Sequence, residues 1–169
     1  MSDAQSLIVR TASMADFDAV DALFARSYPA LLAADYAPSV MVTAVPLISK
    51  AQPGLLRSGS FFLAENRYGI VGAGGWTQEA PGGGAGQRGV GHVRHVVTDH
   101  TRVRQGIGGA LMRHVMMHAK ASGMAQLHCQ STLTAVPFYT AMGFAVRGDI
   151  TVALPGGIGF PAVFMVAQL

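Results

Sequence analysis

The 169-residue chain reads as a single α+β domain over residues 1–169: a mixed, largely antiparallel sheet of about seven strands with helices on both faces. Three observations carry that expectation. Short apolar, β-branched runs recur along the chain, and only a few stretches space their apolar residues at helical intervals. Two pairs of those runs flank turn residues, at 66–68 and around Pro155, Gly156 and Gly157, so each pair closes as a hairpin. One run, 90–98, enters a glycine-rich loop that opens a helix. The order is strand, two helices, three strands, helix, strand, helix and two strands.

Residues 7–10 form a short strand, and Ser13 with Asp16 makes a capping box. The helix that follows runs to about Ser27, with Phe17, Val20, Leu23 and Phe24 along one face. Prolines 29, 38, 46 and 53 cut the next segment into short pieces, of which 39–50 is expected to be helical with a kink at Pro46. Residues 60–65 and 69–77 pair as a hairpin, and the loop 78–89, with its P-G-G-G-A-G, is expected to be mobile.

The strand 90–98 carries His92, Arg94 and His95. Alternation places His92 and Arg94 on one face and His95 on the other, unless a bulge shifts the register. The helix 108–122 buries a stripe of Ile107, Ala110, Leu111 and Val115 and ends at Gly123, a left-handed cap. Its His114 and His118 have a metal-pair spacing, but no third ligand accompanies them, so they are expected to pack against the sheet and no metal is expected. In the strand 125–130, His128 and Cys129 take opposite faces and Cys129 reads as core. Residues 145–153 and 159–167 close the sheet.

Half the residues are hydrophobic and 12% are charged, an apolar balance that leaves room for a homodimer interface. The net charge of +3 comes from scattered arginines, which argues against a nucleic-acid partner. Cys129 is the single cysteine, so an internal disulfide is excluded and a reducing compartment fits. Asp3 precedes any apolar run and the basic-then-apolar order of a signal peptide is missing, so a cytoplasmic location is expected. The apolar stretch 150–169 is interrupted by Pro155, Pro161 and glycines and reads as a hairpin, with no membrane role.

The chemistry concentrates in residues 102–112, R-V-R-Q-G-I-G-G-A-L-M. Glycines at a strand–loop–helix junction let main-chain amides approach a ligand, and the first amides of a helix lack internal acceptors and carry the positive end of its dipole. A phosphate is the expected guest. Gly106 and Gly108 start a dinucleotide fingerprint, but Leu111 occupies its third glycine position and no acid follows at the expected spacing. A Walker G-K-S/T is absent.

The stretch resembles motif A of the GNAT acyltransferase superfamily, R/Q-x-x-G-x-G/A, with Gly106 and Gly108 in place and Val103 where Arg or Gln is usual; Arg102 and Arg104 flank it. Residues 131–144, S-T-L-T-A-V-P-F-Y-T-A-M-G-F, resemble motif B through Ala135, Phe138, Tyr139, Gly143 and Phe144, with Thr132 where Asn is usual. The resemblance extends from Ile8 to about Val166. It implies a GNAT fold and direct transfer of an acetyl group from acetyl-coenzyme A to a small-molecule or peptide amine in a ternary complex, without a metal.

The same resemblance assigns roles. Arg104, Gln105, Gly106, Ile107, Gly108, Gly109 and Ala110 would hold the pyrophosphate, and Val96, Val97, Thr98 and Thr132 would complete the coenzyme A site, with an amide near Val97 polarising the thioester carbonyl. Tyr139 would stabilise the departing sulfur; Tyr28, Tyr36 and Met41 lie in the segment that would shape the acceptor pocket and are candidate lining, with core packing the better reading of each one singly. An amine of reference pKa about 10.4 is protonated at neutral pH, so a base is needed. His92, acting through water, is the expected one and His95 the runner-up. Val103 and Thr132 keep open a coenzyme A-binding domain without catalysis; a nucleotide-dependent oxidoreductase ranks last.

Overall fold

The computed structural model describes residues 6–169; residues 1–5, and with them the Asp3 of the leader expectation, lie outside the described residues. Seven strands form one sheet: β1 (Ile8–Thr11), β2 (Phe61–Asn66), β3 (Gly69–Thr77), β4 (Val90–Thr98), β5 (Gln126–Thr132), β6 (Ala145–Leu154) and β7 (Ile158–Gln168). They lie in the order β1-β2-β3-β4-β5-β7-β6. The β4–β5 pair is parallel and every other pair antiparallel, which confirms the mixed α+β class.

Alternation along the strands builds two cores. In β2, Phe61 and Leu63 point toward α1 (Phe17–Leu32) and its Val20, Leu23 and Phe24. Phe62 and Ala64 point the other way, toward α5 (Ile107–Ala121) and its Leu111, Met112 and Val115. Each fully buried Leu or Phe contributes about 2 kcal/mol of apolar burial. His114 and His118 pack edge-on against Phe62, and His118 Nδ1 accepts from Trp76 Nε1 at 3.0 Å, as expected for boundary histidines.

The segment between the first helix and β2 departs from expectation. α1 does not stop at Ser27 but continues through Pro29 to Leu32, because burial of Tyr28 and Leu32 compensates for the one helical bond that proline removes. The expected kinked helix is two short ones, α2 (Pro38–Thr43) and α3 (Val45–Ile48), with Pro46 in the first turn of the second, where its missing N–H costs nothing. A further turn, α4 (Pro53–Leu56), starts on a proline and buries Leu55 and Leu56. The last helix, α6 (Val136–Ala141), falls inside the second motif.

Tyr36 ties this segment to the far side of the sheet. Its hydroxyl donates to the Pro161 carbonyl at 2.7 Å and accepts from the Leu133 amide at 2.9 Å, while its ring stacks on Phe160. Residues 78–89 form an exposed turn-rich loop. No helix among the described residues is long and apolar enough to cross a membrane.

Candidate active site

Strands β4 and β5 pair over three residues only, Val90 to His92 against Gln126 to His128, and then part. Beyond that point β4 stays with β3 and β5 stays with β7, so the sheet opens into a wedge. A bulge marks the place. Gly75 pairs with Arg94 and Ala73 with Val97, leaving His95 and Val96 both opposite Gly74. His95 takes φ +47°, and a Cβ on Gly74 would come within 2.8 Å of Val96 Cγ2, so the bulge depends on glycine there.

The bulge overturns the simple alternation. Val93 and Val96 pack toward α5, whereas His95 stacks on Phe24 of α1 and Arg94 reaches Gln52 on that same side. His92, Arg94 and His95 therefore share the α1 face. The extra residue cancels the side switch that His95 would otherwise make.

A hydrogen-bonded chain runs along this face. An Arg94 guanidinium nitrogen lies 3.5 Å from Gln52 Oε1, the Gln52 amide nitrogen lies 2.9 Å from His95 Nε2, and His95 Nδ1 lies 3.3 Å from the Tyr28 hydroxyl. With the amide donating to Nε2, the histidine proton sits on Nδ1 and is donated to Tyr28. Burial and the nearby Arg94 push His95 down to about 4. His92 packs edge-on against His128, and burial, His128 and Arg94 hold it below the ordinary histidine value. Gln52 escaped sequence reading because its partners are remote in the chain; only its position ahead of a helix-starting proline hinted at an ordered place.

Tyr139 enters the wedge from the opposite face. It is buried between Phe138 and Phe144, and its hydroxyl meets the Cys129 thiol, with Tyr28 near enough to be felt electrostatically. Burial raises Tyr139 well above the usual phenol value and pushes the Cys129 thiol up to about 12, so Cys129 is a protonated core residue and not a nucleophile.

The loop after β4 is held by Asp99, which accepts from the Thr101 amide at 2.9 Å and pairs with Arg26 of α1 at 3.3 Å. Arg104 (φ +60°) and Gly106 (φ +78°) take left-handed conformations, and α5 begins at Ile107, a residue earlier than expected. The Ala110 amide is bonded to the Gly106 carbonyl at 3.0 Å; the amides just before it are those a helix leaves without internal acceptors. Arg104, Gln105 and Gly106 are exposed, while the Ile107 side chain is core, so only its main chain faces the loop.

Gly108 lies where a side chain would crowd the site: a Cβ there would be 3.2 Å from the Phe138 ring and 3.4 Å from Thr98 Oγ1. That brings the two motifs together. Arg113, which sequence reading missed, lays its guanidinium 3.2 Å from the position of a Cβ on Gly109, supplying charge at the helix start where Val103 brings none. Arg102 instead stacks on Tyr68 at 3.7 Å. Val97 is buried toward α1 and Val96 toward α5, and the Thr132 hydroxyl accepts from the Ala135 amide at 3.2 Å, capping the turn into α6. The cradle of amides, the required glycine and the flanking arginines suit a pyrophosphate. No group of three or more His, Cys, Asp or Glu among the described residues is placed to hold a metal.

A mixed sheet that parts beside a bulged strand, with a glycine-opened helix at its mouth, is the GNAT architecture, and this chain belongs to the GNAT acetyltransferase family. The family profile described as acetyltransferase (GNAT) domain matches residues 57–146, more than half of the chain. The GCN5-related N-acetyltransferase from Rhodopseudomonas palustris superposes with a TM-score of 0.81 at 18% identity, covering 100% of both chains. The PaiA N-acetyltransferase from Thermoplasma acidophilum, solved with coenzyme A, gives 0.71 at 13% identity, covering 97% of this chain and 99% of its own. The ribosomal-protein-alanine N-acetyltransferase from Brucella melitensis gives 0.67 at 18% identity over 96% and 99%. No curated protein sequence matches this chain.

Proposed function

We propose that the chain moves an acetyl group from acetyl-coenzyme A directly to an amine, residues 1–169 acting as one catalytic domain. The observation that carries this reading is the meeting of Gly108, Thr98 and Phe138 at the start of α5, beside a wedge that holds Tyr139 on one side and the histidines on the other. The net change forms an amide N–C bond and breaks a thioester C–S bond; the amine loses a proton and the sulfur gains one.

The amides from Arg104 to Ala110 hold the pyrophosphate, with Arg113 adding charge. Val96, Val97 and Thr98 offer the edge that β4 exposes where it leaves β5, and Thr132 orders α6 at its rim. Tyr139, raised far above a thiol, stabilises the departing sulfur by donating a hydrogen bond rather than surrendering its proton. His92 serves as the base. His95 ranks below it because Gln52 occupies its free lone pair and burial weakens it as a proton acceptor. The test is a panel of amines incubated with acetyl-coenzyme A while free thiol is followed; binding of the thioester with no turnover on any amine would leave the non-catalytic reading.

A further inference from the structure

Arg94 is held differently from the arginines that pair with acids. Arg10 pairs with Asp16 and Glu65, and Arg26 pairs with Asp99. Arg94 is half-buried, and its hydrogen-bond partners are neutral: Thr77 Oγ1 at 3.1 Å and Gln52 Oε1 at 3.5 Å. The acid it feels is Glu79, which is exposed and acts at a distance, and desolvation lowers the guanidinium's affinity for its own proton. A cation taken partly out of water with no acid in contact is unfavourable, and its remaining N–H groups form a planar fork suited to a carboxylate. Thr77 and Gln52 fix the side chain in place, so the fork is positioned before any ligand arrives.

Its surroundings narrow the ligand further. Alternation places Arg94 on the same face as His92, two residues on and just ahead of the bulge, so their Cα atoms are about 7 Å apart. His92 faces His128, and His128 feels Arg147. That side of the wedge thus presents imidazoles and guanidinium groups, which disfavour an acceptor with a second positive charge, such as a polyamine. Resting on the acetyltransfer reading above, we propose that the acceptor is a small amino acid, an amine with a carboxylate a few bonds away, and that Arg94 binds the carboxylate while the amine lies beside His92.

The experiment compares the full chain acting on alanine, leucine, phenylalanine and glutamate with the carboxamide and the decarboxylated amine of each, and with dipeptide amides. Removing the carboxylate is expected to lower kcat/KM roughly ten- to hundredfold for the preferred side chain. Arg94→Gln should bring the acid-to-carboxamide ratio toward one, and Arg94→Lys should restore part of it, while acetyl-coenzyme A affinity by calorimetry stays at the parent value and reports on folding. Equal rates for acid and carboxamide in the parent, faster rates with the dipeptide amides, or an Arg94→Gln variant that slows acid and carboxamide alike would overturn the assignment. Failure of every amine to release thiol would instead count against acetyltransfer itself; calorimetric binding of the free amino acids to the parent but not to Arg94→Gln would still read out the carboxylate site.

Discussion

The Tyr28 hydroxyl of α1 lies 3.3 Å from Nδ1 of His95, a bulged residue of β4 that simple alternation would have turned to the other side of the sheet. The contact exists because one extra residue opposite Gly74 swings the imidazole under α1, against Phe24. It buries a neutral histidine at the point where the sheet opens.

That burial makes stability depend on pH. The folded His95 binds its proton only near pH 4, whereas the unfolded residue does so near pH 6.5. As pH falls through this window the unfolded chain is protonated first, so stability present above about pH 6.5 is lost toward pH 4, by at most on the order of 3 kcal/mol. Urea melts between pH 7.5 and 5 should show this slope, and His95→Leu should reduce it to the share left by His92, His114 and His128, which are also held low. An unchanged slope in the variant would show that His95 titrates normally.

Gly108→Val should abolish close approach to the start of α5. Even a Cβ crowds Phe138 and Thr98, and a branched side chain fills the space proposed above for the pyrophosphate. Coenzyme A affinity by calorimetry is expected to fall at least roughly tenfold, with helical content retained by circular dichroism. A folded variant with parental affinity places the cofactor elsewhere.

Tyr139→Phe keeps the ring between Phe138 and Phe144 and removes only the hydroxyl beside Cys129. Turnover should drop about ten- to hundredfold while coenzyme A affinity holds. Single-turnover rates decide it, since a steady-state rate limited by release would hide the effect.

His92→Ala addresses the base. An imidazole must be neutral to accept a proton, so the parent rate should rise with pH through an apparent pKa below the ordinary histidine value, as burial, His128 and Arg94 dictate. The acceptor's own ammonium adds a second rise near pH 9 to 10, separable by using acceptors of different basicity. The variant should lose the lower limb; profiles that overlay would remove His92 from the mechanism.

Tyr36→Phe should cost about 1–2 kcal/mol in a urea melt, because it leaves the Leu133 amide and the Pro161 carbonyl without their shared partner. A variant as stable as the parent would mean that water replaces the hydroxyl at both.

Local chemistry made much of this legible without coordinates. The strands, their hairpins and the glycine-opened helix follow from side-chain period and turn residues, which act over a few positions and are written in consecutive letters, while the helix of the second motif is what the family resemblance implied. The boundaries that drifted, at Ser27 and Pro46, lie where tertiary burial outweighed a proline's local preference. The exposed glycine loop and the buried Tyr139 were identifiable by motif, and Cys129 as core by the absence of any activating neighbour.

What only the tertiary structure decided is which side chains meet in the wedge. Gln52 approaches His95 across 43 positions and Tyr28 across 67, and no periodicity within either segment encodes such a pairing. The facing of His95 relative to His92 and Arg94 turned on a single bulged residue, and a one-residue shift in a strand reverses every assignment beyond it. The sequence by itself determined the elements and the glycine-rich loop because these depend on neighbours in the chain; the electrostatics of the wedge depend on neighbours in space.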